Sequence, residues 1–167
     1  MTRRSLTFSL MLAAAVLAAA VLAAAPASAR PKQLGNAAAV LAALKSGAPV
    51  RAVFHYKEMK LTDDEGVVAT APDATGGMSL DAWEYFAAGV IGNPVGYVAT
   101  SVAHLIRHPR HGYVLNYVKV SIYDNGKVKI IAQYVTPTTY EVKMDETFET
   151  VIADGKNDGG AFFFSGD

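Results

Sequence analysis

His104, His108 and His111 fall within one stretch of eight residues. Imidazole nitrogens are good ligands for zinc and copper, and three of them can hold a metal with a position left open for chemistry. Their spacing is not that of a helical zinc motif, because Pro109 would break a helix there. On an extended strand His104 shares a face with Val98, Val102 and Ile106. That placement gives the simpler reading: a core histidine satisfied by a hydrogen bond, with His108 and His111 solvated in a turn. Acid–base catalysis would need a partner carboxylate or nucleophile nearby, and the sequence names none.

A second group of candidates could read a ligand. Asn116 lies among Val114, Val118, Val120 and Ile122 on an apolar strand face, and a buried amide needs partners. Those partners are either a neighbouring strand or a bound molecule. Tyr134 stands opposite it in the register derived below. The aromatic set is Trp83, Tyr85, Tyr97, Tyr113, Tyr117, Tyr123 and Tyr134. Tyr113, Leu115, Tyr117 and Tyr123 occupy the face opposite the Val/Ile face. If nothing covers that face it is an interaction patch for sugars or proteins; if a second layer packs there it is core. The candidate ligand-binding residues are therefore Asn116, Tyr134, Tyr113, Tyr117 and Trp83, and the candidate metal ligands His104, His108 and His111. Gly76-Gly77 reads as a turn, since no nucleotide-loop pattern surrounds it. Asp63-Asp64-Glu65 lacks the alternating oxygen ligands of a calcium loop and reads as solvated.

These residues need elements to position them. Asn36 precedes Ala37, Val40, Leu41 and Leu44 at helical spacing, and Gly47 follows, so a helix is expected over 37–46. From Val50 the pattern alternates with period two through Tyr56. Residues 62–78 read as loop. Strand-like runs follow at 79–88, 96–106, 113–123, 127–136, 138–144, 147–153 and 160–164. Segment 79–90 also fits a helical face through Leu80, Trp83, Phe86 and Val90.

One hairpin can be set in register. A two-residue Asn125-Gly126 turn would pair Ile122 with Lys129 and mix the faces. A three-residue loop, 124–126, pairs Ile122 with Val128, Val120 with Ile130 and Val118 with Ala132. Gly126 then takes the left-handed conformation. The expected fold is mostly β (α+β): an antiparallel curved sheet or small barrel with one N-terminal helix.

The first residues point to export. Arg3 and Arg4 precede an uncharged run of Leu, Ala and Val from Leu6 to Ala25, followed by Pro26 and Ala27-Ser28-Ala29. This is the layout of a cleavable signal peptide over residues 1–29, leaving 30–167 as a single domain in the periplasm or secreted. The rival, a retained anchor, is opposed by the small-residue cleavage site. The leader holds two of the 15 basic residues and none of the 15 acidic ones, so the remainder is slightly acidic. That opposes a nucleic-acid partner. The absence of cysteine removes thiol catalysis, disulfides and thiolate metal sites. No cofactor is expected.

Several segments together resemble the VirK family of small exported bacterial proteins, named for a plant-associated virulence regulon. They are Leu41-Ala42-Ala43-Leu44-Lys45-Ser46-Gly47 leading into Val50-Arg51-Ala52-Val53, then Gly76-Gly77-Met78, Leu105-Ile106 and His108-Pro109-Arg110. Asn116-Tyr117-Val118 and Pro137-Thr138-Thr139-Tyr140-Glu141-Val142 complete the set. The resemblance implies bacterial origin and export, and carries over no catalytic residue. Three functions remain: an exported domain binding a small apolar ligand inside a barrel or an envelope or extracellular protein at the tyrosine face; a metal-dependent or histidine-based enzyme; and a structural envelope protein.

Overall fold

The structure is a computed structural model and describes residues 30–63, 65–66 and 68–166; the expected leader, residues 1–29, lies outside them. Asn36 caps helix α1 (Ala37–Lys45), its side-chain oxygen accepting the Ala39 amide at 2.9 Å. This satisfies one of the amides that a first turn leaves without a partner. Gly47, at φ 78°, lets the chain turn away after the helix. Ala37, Val40 and Leu44 are buried, as the helical stripe requires.

The strands are β1 (Lys32–Gln33), β2 (Val50–His55), β3 (Lys60–Thr62), β4 (Val68–Ala69), β5 (Thr75–Ser79) and β6 (Trp83–Phe86). They continue as β7 (Tyr97–His108), β8 (Gly112–Tyr123), β9 (Lys127–Val135), β10 (Val142–Val151) and β11 (Ala161–Ser165). They form two antiparallel sheets. The smaller has the order β1-β11-β2-β5, the larger β4-β3-β10-β9-β8-β7-β6. Among the described residues one isolated bridge, Ile152 to Ala161, links them. The expected mostly β fold with one N-terminal helix is what forms, with curved open sheets in place of a closed barrel. The larger sheet does not close on itself, since its edge strands β4 and β6 are not paired with each other.

One apolar cluster joins the layers. Val40 and Leu44 of the helix, Ala52, Phe54 and Phe163 of the smaller sheet, and Val120, Ile122, Val128, Ile130 and Phe148 of the larger sheet all belong to it. Phe54 and Phe163 meet edge to face, centroids 6.5 Å apart, a favoured arrangement for aromatic pairs. Among the described residues these side chains pack the space between the layers, and the open sheets form no closed barrel around it.

The central hairpin adopts the derived register: Ile122 pairs with Val128, Val120 with Ile130 and Val118 with Ala132. Gly126 sits at φ 83°, its amide donating to the Tyr123 carbonyl at 2.8 Å.

Three local readings need correction. Gly76-Gly77 is no turn; both residues lie inside β5, against β2. A Cβ at Gly77 would stand 2.9 Å from the Ala52 carbonyl oxygen, and one at Gly76 would stand 2.9 Å from the Tyr56 ring. Gly77 is thus set by close approach to the β2 backbone, while Gly76 leaves room for the Tyr56 ring. Part of the expected 62–78 loop is accordingly strand, in β4 and β5. Segments 138–144 and 147–153 are largely one strand, β10, with a bulge between Val142 and Met144. The chain reverses before it through Tyr140, at φ 57°, whose amide bonds the Thr136 carbonyl at 2.9 Å.

Replacing Gly126 by Val forces a β-branched residue into the left-handed region, at a cost of about 2 kcal/mol. Gly126→Val should lower the melting temperature by about 5 °C. A variant melting with the parent would show that the hairpin does not need this conformation.

Candidate functional site

The helix and the smaller sheet share one core with a single face of the larger sheet. On β8, Val114, Val120 and Ile122 are buried on that face, while Tyr113 on the other face is 66% exposed. The odd-numbered face of β8 is thus the outer one. Cross-strand partners extend it. Phe86 pairs with Tyr97 and Tyr97 with Tyr123, making one row of rings with centroids 5.3 and 5.5 Å apart. In the next rows Ala99 faces Ser121, Ser101 faces Lys119, and Ala103 faces Tyr117.

The small side chains at Ala99 and Ser101 leave a trough between taller neighbours. Its volume is about 660 Å³, with Glu84, Phe86, Tyr97, Tyr117 and Lys119 around it and Asp81-Ala82 at its edge. The mixture is aromatic surface with one cation, carboxylates and hydroxyls, in a depression open to solvent. Trp83 borders the same trough. It pairs with Thr100 on the inner row and packs partly against the core. The buried Thr100 hydroxyl donates to the Ala82 carbonyl at 2.7 Å, tying the edge of β6 to β7.

Tyr85 is held differently. Its hydroxyl donates to Asp124 at 3.0 Å and Lys45 of α1 lies over its ring, 5.1 Å from the centroid. The hydrogen bond to Asp124, then burial, raise its pKa above the ordinary phenol value. A Cβ at Gly96 would meet the Asp124 carboxylate and the Tyr85 hydroxyl, so a larger residue there would displace this hydrogen-bonded pair.

The other candidates gather at the far end of the inner face. His104 pairs with Asn116 and Asn116 with Tyr134. His104 is exposed, not the core residue expected, because the smaller sheet does not reach this far along β7. Asn116 is half-buried, and its side-chain amide has no hydrogen bond among the described residues. His108 and His111 stack with centroids 4.7 Å apart, and His108 lies 4.9 Å from the Tyr134 ring. They are therefore packed together, which a freely solvated turn would not require. The Arg110 amide donates to His108 Nδ1 at 3.3 Å. Tyr56 reaches toward the same region, over Phe148 at 4.7 Å; burial, then the neighbouring Tyr134, raise its pKa.

His104 and His108 are four residues apart on one strand, so about 13 Å separates them along it. Ligands to one zinc must all lie at about 2 Å from the ion. Among the described residues no group of three His, Cys, Asp or Glu side chains could hold a metal. Nor is there among them a helix long and apolar enough to cross a membrane.

Residues 33–140 match the family model of the VirK protein. The chain belongs to the VirK family. A crystal structure of a VirK family protein from Legionella pneumophila has the same fold at a TM-score of 0.59 and 16% identity, over 80% of this chain and 98% of that one. No curated protein matches the chain. The matched segment of this VirK chain contains the whole trough and the His108–His111–Tyr134 stack, while β10 and β11 lie beyond it.

Trp83, Tyr117 and Tyr113 were legible as candidates from the sequence; Tyr113 lies outside the trough's lining. Glu84, Phe86, Ala99, Ser101 and Lys119 were not, and the signal that could have found them is the outer-face parity of β6, β7 and β8 once paired.

Partial burial, then the charges on His111 and Arg110, lower the pKa of His108. It should titrate below the ordinary imidazole value of about 6.5. The folded state then binds fewer protons than the unfolded chain, so this contribution to stability is full above the unfolded value and falls as pH drops through the folded one. His111→Asn should move the His108 NMR titration upward; an unmoved midpoint would remove His111 as a cause.

Proposed function

We propose that this VirK family member is an exported binding domain without catalysis of its own, which takes a small ligand in the outer-face trough. The observation behind this is the trough itself. It lies within the usual size range of ligand pockets, roughly 300–1,000 Å³. Rings from Phe86, Tyr97 and Tyr117 supply flat apolar surface, and Glu84, Ser101 and Lys119 supply hydrogen-bonding groups at its sides. A ligand with both an apolar face and hydroxyl groups, such as a saccharide, matches that pairing of surfaces.

The layout of residues 1–29 supports a place of action in the periplasm or beyond the cell. The enzyme alternative loses its main support with the separation of His104 from the His108–His111 pair. A protein partner at the aromatic face remains the second form of the same reading, because the exposed Tyr113 extends that face past the trough.

Trp83 is the sole tryptophan and borders the trough, so its fluorescence reports occupancy. Native mass spectrometry of the protein from its exported fraction should show a bound small molecule. Tyr117→Ala and Lys119→Ala should each weaken that binding at least tenfold, while the melting temperature stays within a few degrees, as is usual for surface substitutions. The reading fails if a bound ligand is retained equally by both variants, or if the folded protein carries none and envelope saccharides leave Trp83 emission unchanged.

A further inference from the structure

Beyond the trough, the same outer face has a second depression at the β8–β9 hairpin end, of about 540 Å³. Its apolar part is Pro94, Val95, Tyr123 and Val151; Lys60, Lys127 and Lys129 stand around it, and Glu149 is the one carboxylate among its lining residues. None of these three lysine ammonium groups forms an ion pair or hydrogen bond among the described residues. Three unpaired cations beside one anion, on a chain that is otherwise slightly acidic, make a local positive field.

The loop beside it, residues 87–96, displays apolar surface. Val90 is 67% and Ile91 58% exposed. The loop that presents them is tied at many points. Asn93 donates to the carbonyls of Ala87 at 3.0 Å and Val95 at 2.9 Å, and its oxygen accepts the Ile91 amide at 3.2 Å. The Gly89 amide bonds the Asn93 carbonyl at 2.7 Å. Gly89 and Gly92, at φ 85° and 80°, allow the two reversals. Asn93 is also part of the depression's wall, so the loop and the lysines are neighbours. Two bulky aliphatic side chains exposed on a braced loop, whose Asn93–Val95 end borders the three lysines, have the two components of peripheral lipid binding: apolar insertion and attraction to anionic headgroups.

We propose that the loop carrying Val90 and Ile91, together with Lys60, Lys127 and Lys129, docks this domain on an anionic lipid bilayer. The charge complementarity selects lipid of negative surface charge over neutral lipid, and the exposed aliphatic pair supplies the buried contact. Docking of this kind needs no membrane-spanning segment.

The test uses the chain from Arg30, which holds every element described above, because the apolar run 6–25 would itself partition into lipid. Sedimentation with vesicles of phosphatidylcholine and phosphatidylglycerol should retain the protein, and pure phosphatidylcholine vesicles should not. Val90→Asp and Ile91→Asp, each checked for unchanged circular dichroism, should abolish retention. Lys127→Ala and Lys129→Ala should each weaken it about fivefold, the expectation for one lysine near an anionic surface. Lys143→Ala, near the opposite end of β10, should leave it unchanged. The proposal is overturned by absence of binding to the anionic vesicles, by equal binding to neutral ones, or by a Lys143→Ala effect as large as that of Lys127→Ala. Binding of a protein through Val90 and Ile91 without vesicle binding would overturn it as well.

Discussion

The seam between β2 and β11 is the contact on which the architecture depends. Ala161 pairs with Phe54, Phe163 with Ala52, and Ser165 with Val50, and the inward rings of Phe54 and Phe163 meet at the centre of the core. Most of the partners are far apart in sequence, so closing the seam costs considerable chain entropy before any contact forms. The return is a second apolar layer facing the Val120–Ile130–Phe148 row of the larger sheet. Without β11, β1 would lose its partner and β2 one of its two neighbours.

That seam also decides which surface is free. The helix and four short strands provide enough apolar area to cover one face of the seven-stranded sheet near its middle. They do not extend over the far ends of β7 and β8, where His104 is exposed, and they leave the opposite face open along its length. The open face is lined by alternate residues of long strands, so its chemistry follows directly from strand parity. A second covering layer would have required the outer rows to be apolar, and Glu84, Ser101, Lys119, Lys129 and Glu149 are not.

Local chemistry made part of this legible in the sequence. Asn36 before an apolar stripe marks a helix start whatever packs on it, and the Val/Ile alternation around 124–126 admits a single register that keeps apolar residues together. A glycine pair such as Gly76-Gly77 marks a turn by conformational freedom, whereas within β5 Gly77 lets the β2 backbone approach and Gly76 leaves room for the Tyr56 ring. That requirement exists only after the two strands have paired. His104 departs from the expected core position for a related reason. Its strand face is the inner one, as its neighbours indicated, but the face extends beyond the layer that covers it. Which end of a strand is covered is a property of the partner layer's length. The trough was half visible: Tyr117 and Trp83 stand out by type, while Ala99 and Ser101 matter by being small, and smallness signals nothing until their tall neighbours are known.

The two depressions on the outer face share a wall. Phe86 and Tyr97 border the trough and Tyr123 borders the lysine-lined depression, and the three rings form one continuous row. Tyr97 is in contact with both neighbours, so a ligand pressing on its ring and a surface pressing on Tyr123 would act on the same packed row. The row is anchored at its ends by strands that are paired on both sides or tied through Thr100, which limits how far any ring can shift. The trough and the lysine-lined depression are therefore one aromatic row apart on the same face.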